Sequence, residues 1–121
     1  MKYGYSPLTF DYVIGKIGPE NLYSPDKHLS LTKAAEEVYE LGLNSMELNM
    51  DIFQILSIPT NHEDLVELRE FCGKTGFSLS CHMPYYSIDI AGPNKHIRKG
   101  SVQALVKAYQ DIKYLDPFIN T

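Results

Sequence analysis

The chain has 121 residues, a formal net charge of −4 and a hydrophobic fraction of 44%. This length fits one domain and excludes two ordinary ones, and no window approaches the roughly 20 apolar residues that span a bilayer. Its two cysteines, Cys72 and Cys81, are too few for a disulfide framework, and we expect both thiols to be buried. Residues 1–6 lack a basic stretch followed by an apolar run, so no signal peptide is expected and a cytoplasmic location is predicted.

Strands and helices alternate along the predicted chain. In order, the pattern predicts strand 2–6, helix 31–41, strand 45–49, helix 61–72, strand 77–82 and helix 94–115, with loops between them. The helices are predicted from apolar residues that recur every three or four positions, after Ser30 as an N-cap in the first and before Pro117 in the third. Such alternation is typical of a parallel sheet joined by right-handed crossovers.

Each predicted strand has one apolar face and one polar or small face. In the second strand, Met46 and Leu48 alternate with Glu47 and Asn49, whereas parallel strands covered on both faces are usually unbroken apolar runs. Helices on one side only are typical of a (β/α) barrel, whose active site lies at the carboxyl ends of its strands. The pattern therefore favours the α/β class, with residues 1–121 as the incomplete N-terminal part of a TIM barrel containing about three β/α units. A small open sheet whose polar face meets water is the alternative.

Three segments then resemble a known family: 79–85 (LSCHMPY), 88–93 (IDIAGP) and 97–102 (IRKGSV). They resemble the third strand, loop and helix of the xylose-isomerase-like TIM barrels, a superfamily of sugar-phosphate isomerases and epimerases that also includes the endonuclease IV type of abasic-site nuclease. Residues 31–49 are similar to its first helix and second strand, so the resemblance covers most of the chain. It implies a divalent metal (Mn, Mg or Zn) in the complete fold, with most of its ligands from the fourth strand onward.

Five residues are candidates for the functional site. His82 and Glu47 are the candidate catalytic pair, because an imidazole at a strand end can polarise a sugar oxygen or bind a metal, and Glu47 is expected to face the interior. Asn49, Tyr85 and Arg98 are candidate substrate-binding residues, with Arg98 placed where a cation and a helix N-terminus can together hold a phosphate. Each has a plainer alternative: a hydrogen-bonded interior histidine, an ordinary ion pair, a packed aromatic ring or a solvated charge.

The predicted function is that of a metal-dependent sugar or sugar-phosphate isomerase or epimerase, which moves a proton next to a carbonyl. One alternative is an endonuclease IV-like zinc phosphodiesterase acting on DNA, in which His82 is a metal ligand. The other is a non-catalytic fragment or module that needs a partner chain. We expect the chain alone to be inactive and to bind no metal tightly, because one candidate ligand cannot build a site that normally needs three or four. The open sheet edges predict self-association, and no membrane partner is expected.

Overall fold

The computed structural model describes residues 4–85 and 88–119. Its elements, in chain order, are β1 (Gly4–Tyr5), α1 (Phe10–Ile17), a 3₁₀ turn (Pro19–Asn21), α2 (Leu31–Glu40), β2 (Ser45–Asn49), α3 (Met50–Ile55), α4 (His62–Thr75), β3 (Ser78–His82), α5 (Lys95–Ile112) and a 3₁₀ segment (Lys113–Phe118). The first predicted strand, 2–6, includes residues 2 and 3, which lie outside the described residues.

The sheet has the strand order β1-β2-β3, and neighbouring strands are parallel. β2 and β3 pair along their whole length, so that Glu47 lies opposite Ser80 and Asn49 lies opposite His82. Because paired residues of parallel strands point to the same side, this register places these polar side chains on one face. β1 adds two residues beside the start of β2.

The other face of the sheet carries the core. Met46 and Leu48 of β2 and Leu79 of β3 are completely buried there, and α2 packs against β2 and against α4. Burying a leucine or methionine side chain contributes about 1.5–3 kcal/mol. The apolar alternation of the strands therefore determines which face the helices cover and leaves the polar face to the solvent side.

The prediction of three β/α units of a TIM barrel is wrong. The structure is 58% helical and forms a small helix-rich domain. Its sheet consists of two five-residue strands, β2 and β3, and of β1, which has only two residues and pairs with β2. Helices α1 and α3 occupy segments that were predicted to be loops. The physical reason lies in Thr9 and Asn49, whose side-chain oxygens accept hydrogen bonds from the first turns of these helices and act as N-caps.

Helix α4 extends three residues beyond its predicted end at residue 72. It continues through Gly73 to Thr75. The next residue, Gly76, is the C-cap: it adopts a φ of +75° and donates its N–H to the carbonyl of Cys72. A residue with a Cβ is strained in this left-handed conformation, so glycine suits the end of the helix. Gly73, by contrast, has ordinary helical geometry and interrupts nothing.

A buried carboxylate joins the starts of α2 and α4. Asp64, in the first turn of α4, is 8% exposed. Its Oδ2 accepts the N–H of Leu31 at 2.6 Å, and its Oδ1 accepts the N–H of Thr32 at 3.2 Å and the Thr32 hydroxyl at 2.7 Å. The negative charge therefore satisfies backbone donors at the N-terminus of α2 while lying at the N-terminus of α4, where both helix dipoles favour it.

Helix α1 is held to α2 by a cluster around Glu37. The carboxylate accepts hydrogen bonds from the Tyr12 hydroxyl at 2.9 Å and from Lys16 Nζ at 2.8 Å. The bond from Lys16 holds the pKa of Glu37 below its usual value, whereas burial together with the Glu37 carboxylate raises the pKa of Tyr12 to about 12. These contacts fix the helix that supplies one wall of the cavity described next.

Candidate functional site

A cavity of about 360 Å³ lies at the carboxyl ends of β2 and β3. Asn49 and His82, the last residues of the two strands, are paired in the sheet and both line it. The remaining lining side chains come from the segment after β1, from α1, from α3 and from the segment after β3: Ser6, Leu8, Thr9, Phe10, Asp51, Ile52, Ile55 and Tyr85. The cavity therefore combines an apolar wall with a few polar groups, as small-molecule sites commonly do.

Glu47 and His82, the predicted catalytic pair, lie close together on the polar face of the sheet. Their nearest charged atoms, Glu47 Oε1 and His82 Nδ1, are 3.9 Å apart, and each side chain is 39% exposed. Ser6 Oγ donates a hydrogen bond of 3.0 Å to the same Oε1. Ser6 and His82 thus both lie near the same carboxylate oxygen.

Tyr85 covers one face of the His82 ring. The two ring centroids are 4.7 Å apart and the planes are inclined by 27°, which is a stacked geometry. Tyr85 lines the cavity although it is 55% exposed. Its backbone N–H donates a 3.1 Å hydrogen bond to Oδ2 of Asp51, which is 3% exposed.

Asn49 has a structural role as well as a place in the cavity. Its Oδ1 accepts the N–H of Ile52 at 3.3 Å and caps α3. Because the side-chain amide has separate donor and acceptor ends, this bond leaves the Nδ2 group as the hydrogen-bond donor that Asn49 can offer to a ligand. A single residue thereby links the start of α3 to the polar lining of the cavity.

Arg98, the predicted phosphate contact, is not one of the described residues that line this cavity. It lies in the first turns of α5, and its Nη1 donates a 2.6 Å hydrogen bond to the carbonyl of Gly92. Its neighbour His96 lines a different cavity, with Ile88 and residues of α5. The structure thus brings Glu47, Asn49, His82 and Tyr85 together and places Arg98 elsewhere.

Cys81 lies beside this site without belonging to it. It pairs with Leu48 and therefore points to the apolar side of the sheet, where its thiol is 3.6 Å from the sulfur of Met83. Burial, reinforced by the negative charge of Glu47, raises the pKa of the Cys81 thiol to about 11. Because the thiolate is the nucleophile, this environment disfavours cysteine chemistry near neutral pH.

The donors near the cavity do not fit a protein-bound divalent metal. Within residues 4–85 and 88–119, no three side chains of His, Cys, Asp or Glu form a group able to hold a metal ion. His82 and Glu47 supply one nitrogen donor and one carboxylate, whereas catalytic zinc sites commonly have three protein ligands. The function proposed for this cavity therefore relies only on side chains of the protein.

Two residues near the candidate pair were missed by the sequence analysis as site residues. Ser6 follows β1 and binds Glu47, and Asp51 follows β2 and binds the backbone of Tyr85. Asp51 had a usable signal, since an acidic residue two positions after a strand end is placed near the carboxyl edge of a sheet. Its partner lies 34 residues away, so only the folded chain reveals what the carboxylate does.

Comparison with known proteins finds no family model, no curated protein and no solved structure that matches the chain. Among the described residues, none of the helices is both long and apolar enough to cross a membrane.

Proposed function

We propose that the cavity binds a small hydroxylated carbonyl compound of the sugar or sugar-phosphate type, and that His82 moves a proton on the carbon next to the carbonyl. We therefore no longer expect the chain alone to be inactive, since that expectation rested on an incomplete TIM barrel. The observation that supports this is the position of His82, which both lines the cavity and faces the Glu47 carboxylate. A histidine beside a carboxylate is a suitable general acid or base, because free imidazole titrates near neutral pH. Residues 79–85 resemble the superfamily that contains the sugar-phosphate isomerases, and the sequence of residues 46–48 is closer to the isomerases than to the nucleases, which supports the same chemistry.

The proposed step can be assigned to named groups. With Glu47 facing Nδ1, Nε2 of His82 is the atom that removes the proton from the substrate carbon. The electron pair of the broken C–H bond forms a carbon–carbon double bond, and the carbonyl oxygen takes up the negative charge. The Nδ2 group of Asn49 is the donor proposed to bind that oxygen. Return of the proton by His82 to the same carbon completes an exchange with solvent. Return of the proton to the former carbonyl carbon completes an isomerisation when the proton of the neighbouring hydroxyl passes to the former carbonyl oxygen.

Solvent deuterium exchange tests the proposal directly. A panel of aldoses, ketoses and their phosphates is incubated with the protein in D₂O, and incorporation of deuterium next to the carbonyl is followed by NMR. We expect exchange that His82→Asn lowers by about 10²- to 10⁴-fold, the range typical of general acid–base catalysis, and that Glu47→Gln lowers less. His62→Asn is the matched control, because His62 is exposed on α4 and its ring contacts Tyr114 instead of lining the cavity.

Three other results decide against this function. Sugar binding without exchange would make the chain a binding module, and neither binding nor exchange would refute the proposal outright. Incision of an abasic-site duplex that is lost in His82→Asn would favour the nuclease alternative. The net charge of −4 disfavours that alternative, since DNA binding draws on neutralisation of phosphates by Lys and Arg.

We also propose that the protein acts in the cytoplasm. Its two cysteines are free, which suits a reducing compartment.

A further inference from the structure

Asp51 is a buried carboxylate placed between the two strand ends of the site. It lies in the first turn of α3, directly after β2, and is 3% exposed. A buried charge is costly unless hydrogen bonds compensate it. The Tyr85 N–H, at 3.1 Å from Oδ2, is one of these compensating donors.

This hydrogen bond crosses from one strand end to the other. Asp51 belongs to the chain that leaves β2, and Tyr85 belongs to the chain that leaves β3. A bond to an ionised acceptor is stronger than one between neutral groups. The bond from the Tyr85 N–H to Asp51 therefore fixes the main chain of Tyr85. The Tyr85 side chain is 55% exposed, so its ring is not enclosed by the core.

The position of the Tyr85 ring in turn determines which parts of His82 a ligand can reach. The stacked ring, 4.7 Å from the imidazole centroid, covers one face of His82, and Glu47 faces Nδ1. Among the described residues, the structure records no hydrogen bond to Nε2, so this atom is left for a ligand. A shift of the Tyr85 main chain would uncover the imidazole face and let the ring rotate away from the cavity.

The geometry points to Asp51 as a positioning residue: it holds the Tyr85 main chain so that the Tyr85 ring stacks on His82 and presents that imidazole edge-on to the cavity. Its importance for catalysis rests on the function proposed above, but the positioning itself does not. In this role Asp51 acts through Tyr85, although its side chain also lines the cavity.

NMR of the histidine ring protons tests this without a ligand. The protein has four histidines, and the His82 signals are assigned by their loss in His82→Asn. Tyr85→Leu removes the aromatic ring current and shifts the His82 signals. We expect Asp51→Ala to reproduce that shift, and Asp51→Asn, whose amide oxygen can accept the same N–H, to retain the signals of the unaltered protein.

Asp89→Ala is the matched control, because Asp89 also accepts a backbone N–H, that of Ala91 at 3.2 Å, but does not line the cavity. A folded Asp51→Ala protein with unshifted His82 signals would overturn the inference. If Asp51→Ala does not fold, hydrogen exchange in the unaltered protein decides: protection of the Tyr85 N–H together with retained stacking in Asp51→Asn supports the positioning role, and an unprotected N–H overturns it. Shifted signals without any sugar exchange would refute the proposed function alone.

Discussion

Replacement of Asp64 by alanine removes the carboxylate that joins the starts of α2 and α4. In the folded protein the N–H groups of Leu31 and Thr32 would lose their acceptor, and both residues are at least 95% buried. The Thr32 hydroxyl would keep a partner, because it also donates to the Asp64 main-chain carbonyl at 3.0 Å. The substitution therefore removes the acceptor of these two buried backbone donors, and also that of the Ser30 hydroxyl, which donates to Oδ1 at 3.1 Å.

The expected loss follows from those two donors. A buried donor left without a partner costs about 1–3 kcal/mol, so the loss of acceptors for two donors should lower the free energy of unfolding of Asp64→Ala by about 2–6 kcal/mol. This is a large share of the roughly 5–15 kcal/mol that stabilises a typical domain. Asp64→Asn keeps one acceptor oxygen but replaces the other by an NH₂ group. It therefore leaves one of the two backbone donors without an acceptor and removes the charge near the helix N-termini, and its expected cost is about 1.5–4 kcal/mol.

Urea unfolding followed by circular dichroism at equal protein concentration measures these losses. Asp26→Ala provides the control, since Asp26 is exposed and surface substitutions usually change stability by less than about 0.5 kcal/mol. A double-mutant cycle with Thr32→Val should show coupling between positions 32 and 64. If Asp64→Ala is no more destabilising than Asp26→Ala, the assignment of Asp64 as the joint cap of the two helices is refuted.

Two further predictions concern helix α4 and the thiol beside the site. Gly76→Ala should destabilise the protein by about 1–2 kcal/mol, because residue 76 has a φ of +75°. Gly73→Ala should instead stabilise it by up to about 1 kcal/mol, since the added Cβ would make only an ordinary contact of 3.8 Å. Urea unfolding checks both, and equal effects would contradict the helix end at Gly76. Alkylation of Cys81 by iodoacetamide should rise with pH through a midpoint near 11 rather than the ordinary value of about 8.5. Glu47→Gln should lower that midpoint by removing a negative charge, and an ordinary midpoint in the unaltered protein would show that the thiol is not desolvated.

Much of the candidate site was predicted from strand ends and residue chemistry. His82 and Asn49 were placed at the carboxyl ends of parallel strands, and the structure pairs them there. Glu47 lies two residues earlier on the same face because the strand alternates. Arg98 was predicted from its position at the start of a helix, but it does not line the cavity. Its place relative to the strand ends depends on how α5 docks, and local sequence carries no signal for that.

The sequence by itself determined strand 45–49, strand 77–82 to within one residue of Ser78–His82, the three main helices to within about three residues and the polar face of the sheet. These depend on local periodicity and on which side chains avoid water. Only the tertiary structure decided the architecture, since whether a segment after a strand forms a loop or a helix depends on the burial of residues such as Val13 of α1 and Phe53 of α3 in the core. It also decided the roles of Asp51 and Asp64. Each carboxylate is buried against backbone N–H groups more than 30 residues away, and only the folded chain brings such donors within reach.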